Sequence, residues 1–162
     1  MMPAAWLPFF EWCEQTGLAV AMQQSLWLFP VIEAVHLLGL SLLGGAVLLL
    51  NLRLLGLGVR AQPVVQVWRD VRPWIAAGVM VMVITGVPLF LSEAVRCFYN
   101  PPFWIKMGAL ALAVTFTVTV QRRVVEAATD PVRRSWRMRL VGVVSLVLWT
   151  TVGAMGRGIG FY

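Results

Sequence analysis

Leu26 to Leu50 is an apolar run broken by one acid, Glu33, and one histidine, His36, the single histidine of the chain. A bilayer core is crossed by about 20 consecutive apolar residues in a helix, and this run is long enough. In lipid, backbone polar groups must be satisfied within the segment, so the run reads as a transmembrane helix. Glu33 and His36, three residues apart, share one of its faces. Ionisable residues inside a membrane are costly and usually face a bundle interior or cavity, which makes the pair a functional-site candidate.

Composition extends the argument to the whole chain. Its 162 residues are 60% hydrophobic and 12% charged, against about 25% charged in a soluble domain. The length fits four spans with short loops. The expectation is an all-α, integral membrane four-helix bundle occupying residues 1–162 as a single transmembrane domain. Its spans fall at about 26–50, 73–92, 103–120 and 139–156, with Pro88 as a candidate kink in the second. Residues 4–15 read as a short amphipathic helix lying in the interface, with Trp6, Phe9, Phe10 and Cys13 on one face and Glu11, Glu14 and Gln15 on the other. Gly17 ends it, and Ser25 is a candidate N-cap for the first span. With acids rather than a basic region near its start, Met1–Gln15 does not read as a secretory signal.

Ten of the thirteen basic residues fall in two connections: Arg53, Arg60, Arg69 and Arg72, then Arg122, Arg123, Arg133, Arg134, Arg137 and Arg139. Basic residues flanking spans orient a membrane protein. The bias puts residues 58–72 and 121–138 in the cytoplasm and both termini on the periplasmic side of a bacterial inner membrane. Nucleic-acid binding would need a basic face on a soluble surface, which this pattern lacks.

At helical spacing, one face of each span carries small or polar residues. Glu33, His36, Leu40, Gly44, Val47 and Asn51 line the first, and Gly78, Met82, Thr85, Leu89 and Ser92 the second. Lys106, Ala113, Thr117 and Gln121 line the third, and Gly142, Ser145, Trp149, Gly153, Gly156 and Gly160 the fourth. Such faces suit close packing and interhelical hydrogen bonds, so Gly44, Gly78, Gly142 and Gly153 read as packing seam. Glu33, His36, Glu93, Arg96, Lys106 and Arg157 all fall in the outer third. Buried charges need partners, so they form either an ion-pair network that sets helix register or a polar pocket open to the outer face.

A neutral imidazole ligates haem iron, copper or zinc. One histidine excludes a two-haem cytochrome and leaves a single haem b, or copper with soft partners. Glu33 is the candidate orienting partner of the imidazole, and Arg96, Lys106 and Arg157 are candidates to neutralise an anionic group. Candidate further ligands are Met82, Met107 and Met155, and for copper Glu33 itself, although methionines in apolar chains mostly fill gaps. No nucleophile–base constellation or phosphate loop argues for an enzyme. Cys13 and Cys97 both map outside, where they either pair as a disulfide or sit as buried apolar residues.

The segment Glu33-Ala34-Val35-His36-Leu37-Leu38-Gly39, followed by Asn51-Leu52-Arg53-Leu54-Leu55-Gly56-Leu57, resembles an uncharacterised family of small bacterial four-span integral membrane proteins. That family usually shows an acid where this chain has Asn51. The run from Ser92-Glu93-Ala94 to Tyr99-Asn100-Pro101-Pro102-Phe103-Trp104-Ile105-Lys106-Met107 is similar to a segment of copper-resistance D-type membrane proteins. It also resembles the membrane protoporphyrinogen oxidase family, whose members bind haem b. These resemblances imply copper handling or haem binding near the outer face, with His36 as the imidazole ligand. The alternative is an accessory subunit of a larger membrane complex, or a homo-oligomer, in which the charges only fix packing.

Overall fold

In a computed structural model, residues 4–58, 61–128 and 136–161 are described; among them every regular element is helical. Arg60, Arg133 and Arg134, which contribute to the charge bias, lie outside the described residues. Four helices are long and apolar enough to cross a membrane: Leu28–Leu55, Val64–Ser92, Pro101–Glu126 and Trp136–Phe161. The chain is therefore a multi-pass membrane protein whose apolar surface meets lipid.

A 3-10 turn at Ala4–Trp6 leads into α1 (Leu7–Glu14), as the amphipathic pattern predicts. Its faces are arranged differently from that pattern. Phe10 and Cys13 are buried, whereas Trp6, Phe9 and Trp12 are exposed. Glu14, expected on the water face, turns inward and accepts the Val95 backbone N–H at 2.8 Å. Beyond Gly17 the chain is helical again as α2 (Gly17–Gln24). The Thr16 hydroxyl caps α2 by accepting from Ala19 N–H and itself donates to the Cys13 carbonyl. Ala19 and Met22 are fully buried beneath it, and Gln23 donates to the Ser92 carbonyl at 3.0 Å.

Ser25 performs the capping its position predicts, since its hydroxyl accepts from the Leu28 N–H that opens α3 (Leu28–Leu55). Gly56 ends α3 at φ 73, a left-handed conformation that a side chain disfavours. The buried Arg53 then donates Nε to the Gln62 carbonyl at 2.7 Å and pins the connection.

The second span, α4 (Val64–Ser92), begins well before Pro73, within the stretch expected to be a loop. Val64, Val67, Trp68 and Val71 recur at helical spacing and bury themselves against Leu50, Leu54 and Val125. The gain from that apolar face outweighs the polarity of Arg69, Asp70 and Arg72 around it.

A short α5 (Ala94–Tyr99) precedes α6 (Pro101–Phe116), where two prolines open the helix at positions that need no intrahelical amide. The helix continues through a wider π-turn at Thr117–Gln121 into α7 (Arg122–Glu126), past the expected end near residue 120. Arg122 and Glu126 pair at 2.9 Å across one turn of it. The last span is α8 (Trp136–Gly158), with a 3-10 turn at Ile159–Phe161.

α3 packs along α4 and α8, and α6 packs along α8, but α4 and α6 share no comparable seam. The α3–α4 crossing is tight because glycines face it. A Cβ on Gly78 would lie 2.8 Å from Leu43 Cβ and 3.1 Å from Leu43 Cα, and one on Gly39 would lie 2.7 Å from Val81 Cγ1. Gly142 likewise faces Leu54 and the Asn51 carbonyl. Gly44 and Gly153, expected in the same seams, face open space instead.

The main core fills the half of the bundle near the arginine-rich connections, built on Leu43, Val47, Leu50, Leu54, Val67, Trp68 and Val71. At the opposite end, Phe10 sits among Phe98, Phe90 and Trp104 with ring centroids 5.1–5.9 Å apart. This aromatic cap ties α1 to α4, α5 and α6.

Candidate functional site

Between the packed core and the aromatic cap lies a cavity of about 350 Å³. It occupies the place where α4 and α6 lack a seam. Its walls come from all four spans, with His36 and Leu40 from α3, Met82 and Gly86 from α4, Lys106 and Met107 from α6, and Trp149 and Val152 from α8. Val83, Val87 and Met107 line it while remaining 54%, 50% and 44% exposed, so they form a rim open sideways to lipid. Toward the cap, Phe90 and Phe103 stack at 5.5 Å with planes 12° apart and roof it. The expected pocket was polar and open to the outer face. This one is mostly apolar and opens laterally, because aromatic residues rather than charges fill the bundle's end.

Two ionisable groups enter the cavity, His36 and Lys106. His36 Nδ1 lies 2.7 Å from the Thr85 hydroxyl, and that hydroxyl lies 2.6 Å from the Val81 carbonyl one turn earlier. A hydroxyl carries one hydrogen and accepts through two lone pairs. When Thr85 donates to Val81, the ring donates from Nδ1 and Nε2 carries a lone pair. When Thr85 donates to Nδ1, Nε2 carries the hydrogen. Thr85 thus holds the ring and lets it present either an acceptor or a donor. Gly86 provides the ring's space, since a Cβ there would stand 3.3 Å from His36 Cε1.

Lys106 lies over Gly156 of α8, whose missing side chain makes room; a Cβ there would sit 3.6 Å from both Lys106 Cε and Nζ. Among the described residues the Lys106 ammonium has no ion pair and no hydrogen bond. Nearby, Trp149 donates its indole N–H to the Thr117 hydroxyl at 3.2 Å, which leaves its ring as an apolar wall.

The other charged candidates do not converge on this cavity. Glu33 is exposed, with no hydrogen bond or ion pair among the described residues, so Thr85 rather than Glu33 holds the imidazole. Arg96 pairs with Glu93 at 3.1 Å at the surface. Arg157 is exposed and stands 5.6 Å from the Phe161 ring centroid. Of the methionines, Met82 and Met107 line the cavity, whereas Met155 does not. Helical spacing groups residues by face, but a face extends past the bundle's edge, and only the packing decides which of its residues meet. No group of three His, Cys, Asp or Glu side chains among the described residues is placed to hold a metal ion.

Cys13 and Cys97 are free, buried thiols on α1 and α5. Burial pushes the Cys13 thiol above its ordinary value. Burial, with Glu93 nearby, pushes Cys97 up to about 11. Both behave as apolar packing groups at ordinary pH, the second of the two readings their positions allowed.

A second polar cluster lies along the helices from His36. Asn51 is fifteen residues further along α3, a rise of about 22 Å. Its amide donates to the Ser145 hydroxyl at 3.0 Å; Ser145 donates to Gln121 Oε1 at 3.2 Å; Gln121 donates back to Asn51 Oδ1 at 3.0 Å. The second amide hydrogen of Asn51 goes to the Val47 carbonyl at 2.9 Å. The ring is closed and nearly solvent-free, with exposures of 0%, 1% and 1% for Asn51, Gln121 and Ser145. It joins α3, the π-turn and α8, and each of its three side chains both donates and accepts within it. Its chemistry is structural.

Neither a curated protein nor a solved structure matches the chain. A family model does match, over residues 9–162, from the buried face of α1 to the end of α8. The four spans, the cavity and the closed ring all fall inside that match, and the chain belongs to this family of unknown function, DUF6644.

Proposed function

We propose that this protein binds a lipophilic small molecule taken from the bilayer, with its polar head on His36 and Lys106 and its apolar body against Phe90, Phe103 and Trp149. The observation that carries this reading is the lateral opening. An apolar cavity with a few convergent polar groups is the usual form of a small-molecule site, and about 350 Å³ falls at the small end of the range of about 300–1,000 Å³. The volume suits a head and the first part of a tail, with the remainder lying in lipid between Val83 and Met107. The arginine bias favours an orientation with residues 58–72 and 121–138 in the cytoplasm and this cavity in the outer leaflet of a bacterial inner membrane.

The haem b expectation loses support, because Glu33, Arg96 and Arg157 stand outside the cavity and only Lys106 is left to meet propionates. Copper is a second reading with one observation in its favour. His36, Met82 and Met107 line one cavity, and imidazole and thioether are soft donors that suit copper(I). The Lys106 ammonium in the same cavity opposes a cation there, so the lipophile is the better reading.

The test is to purify the chain in mild detergent, extract it with solvent, and identify co-purifying lipophiles and metals by mass spectrometry. A Val83→Trp variant, which fills the lipid-side opening from an exposed position, serves as the comparison. The expected result is a lipophile near stoichiometric in wild type, and depleted in Val83→Trp and His36→Ala. A lipid profile identical across the three proteins refutes the proposal, and stoichiometric copper lost with His36→Ala replaces it with the second reading.

A further inference from the structure

Resting on that reading, we infer that the head group is a carboxylate, so that the ligand is a long-chain carboxylic acid held by Lys106 with His36 as the second donor. Lys106 lines a cavity with mostly apolar walls, its ammonium lies over Gly156, and no acid among the described residues pairs with it. A charge in such a place is costly unless paired.

The geometry also selects among anions. Two residues that line the cavity can donate, Lys106 through its ammonium and His36 through Nε2 in the form where Thr85 donates to Nδ1. A carboxylate has two oxygens, one for each donor, and charge-assisted bonds of this type are the strong ones. A phospholipid head brings more acceptor oxygens and a glycerol ester, which two donors beneath a stacked Phe90–Phe103 roof leave unsatisfied. A neutral alcohol or quinone leaves the ammonium unneutralised. The apolar walls and the lipid-side rim then take the alkyl chain.

The experiment measures binding of tritium-labelled palmitic acid to the full-length chain immobilised in detergent, by scintillation proximity. Unlabelled palmitic acid and hexadecanol, which share a tail and differ in charge, serve as competitors. The expected result is that the acid competes at least about tenfold better than the alcohol, as one charge-assisted hydrogen bond requires. Lys106→Met abolishes that preference, and Lys106→Arg retains it. Equal competition by acid and alcohol, with both lost in Val83→Trp, overturns the carboxylate and leaves the lipophile site standing. Binding of neither in a Val83-dependent manner overturns the carboxylate at once, and the solvent extraction above then judges the site itself. The wild-type comparison needs no variant to fold, and Lys106→Met removes an unpaired charge from an apolar place.

Discussion

Replacing Gly78 with alanine tests the close α3–α4 crossing. The added Cβ would lie 2.8 Å from Leu43 Cβ, 3.1 Å from Leu43 Cα and 3.2 Å from Leu43 N. Ordinary contact begins at 3.4 Å, so the shortfall is about 0.6 Å at the nearest atom, and two of the three atoms are backbone. No rotamer change relieves it; α3 and α4 must separate. Overpacking of this kind costs about 1–3 kcal/mol. Alanine returns about 0.5–1 kcal/mol of helix preference over glycine, so the net destabilisation is about 0–2.5 kcal/mol, and about 1–3 kcal/mol relative to a variant with the helix gain alone. Gly153→Ala is the matched control, because nothing lies within 4 Å of the Cβ it adds. Only the helix gain applies there, and that variant should be neutral or up to about 1 kcal/mol more stable. Both are read as the fraction of detergent-solubilised protein that stays monodisperse after a series of heating steps, beside a steric-trapping measurement of free energy. Gly78→Ala as stable as Gly153→Ala refutes the close α3–α4 approach.

The closed ring predicts non-additive energetics. Gln121→Leu should destabilise by about 1–3 kcal/mol, because it strands Asn51 Oδ1 and the Ser145 hydroxyl in a dry site. The triple variant Asn51→Leu, Gln121→Leu, Ser145→Ala should cost less than the sum of its single changes, and strict additivity by the same steric-trapping assay would argue against a coupled ring. Cys97 supplies a pH dependence. Its thiol is pushed up to about 11 in the fold, above the ordinary value of 9.0, so the folded state retains a proton that the unfolded chain releases. Its contribution is whole below pH 9 and declines as pH rises from 9 toward 11. Wild type should therefore lose stability across that window more steeply than Cys97→Ala, and parallel pH profiles for the two would contradict the buried thiol.

Part of the polar interior is legible in the sequence. The stripes placed Asn51, Gln121 and Ser145 on facing surfaces, and those residues form the ring. His36 on the stripe of the first span and Thr85 on that of the second meet in the 2.7 Å contact. Thr117 and Trp149, on the stripes of the third and fourth spans, meet in a hydrogen bond. These succeeded because an α-helix fixes the angle between residues three and four apart, whatever surrounds it. The failures have a common cause. Glu33 is one turn from His36, yet sequence spacing carries no information on which of two neighbouring directions points at a partner helix and which at lipid. Val64 to Val71 carried its own helical signal, but polar neighbours made the stretch resemble a loop. The glycines at 44, 78, 142 and 153 look alike in one dimension, and only helix crossing separates the tight pair from the open pair.

The sequence by itself determined four membrane-spanning helices, because nothing else satisfies the backbone of such apolar runs in lipid. It also determined which faces carry most of the polar residues, and it singled out a lone histidine as a candidate for a site. Only the tertiary structure decided that α4 and α6 part company, that Phe90 and Phe103 close one end of the gap, and that Lys106 rather than Glu33 shares the space with His36. Those outcomes depend on which helices touch, and contact between helices is set by shapes on two surfaces at once, which neither segment encodes alone.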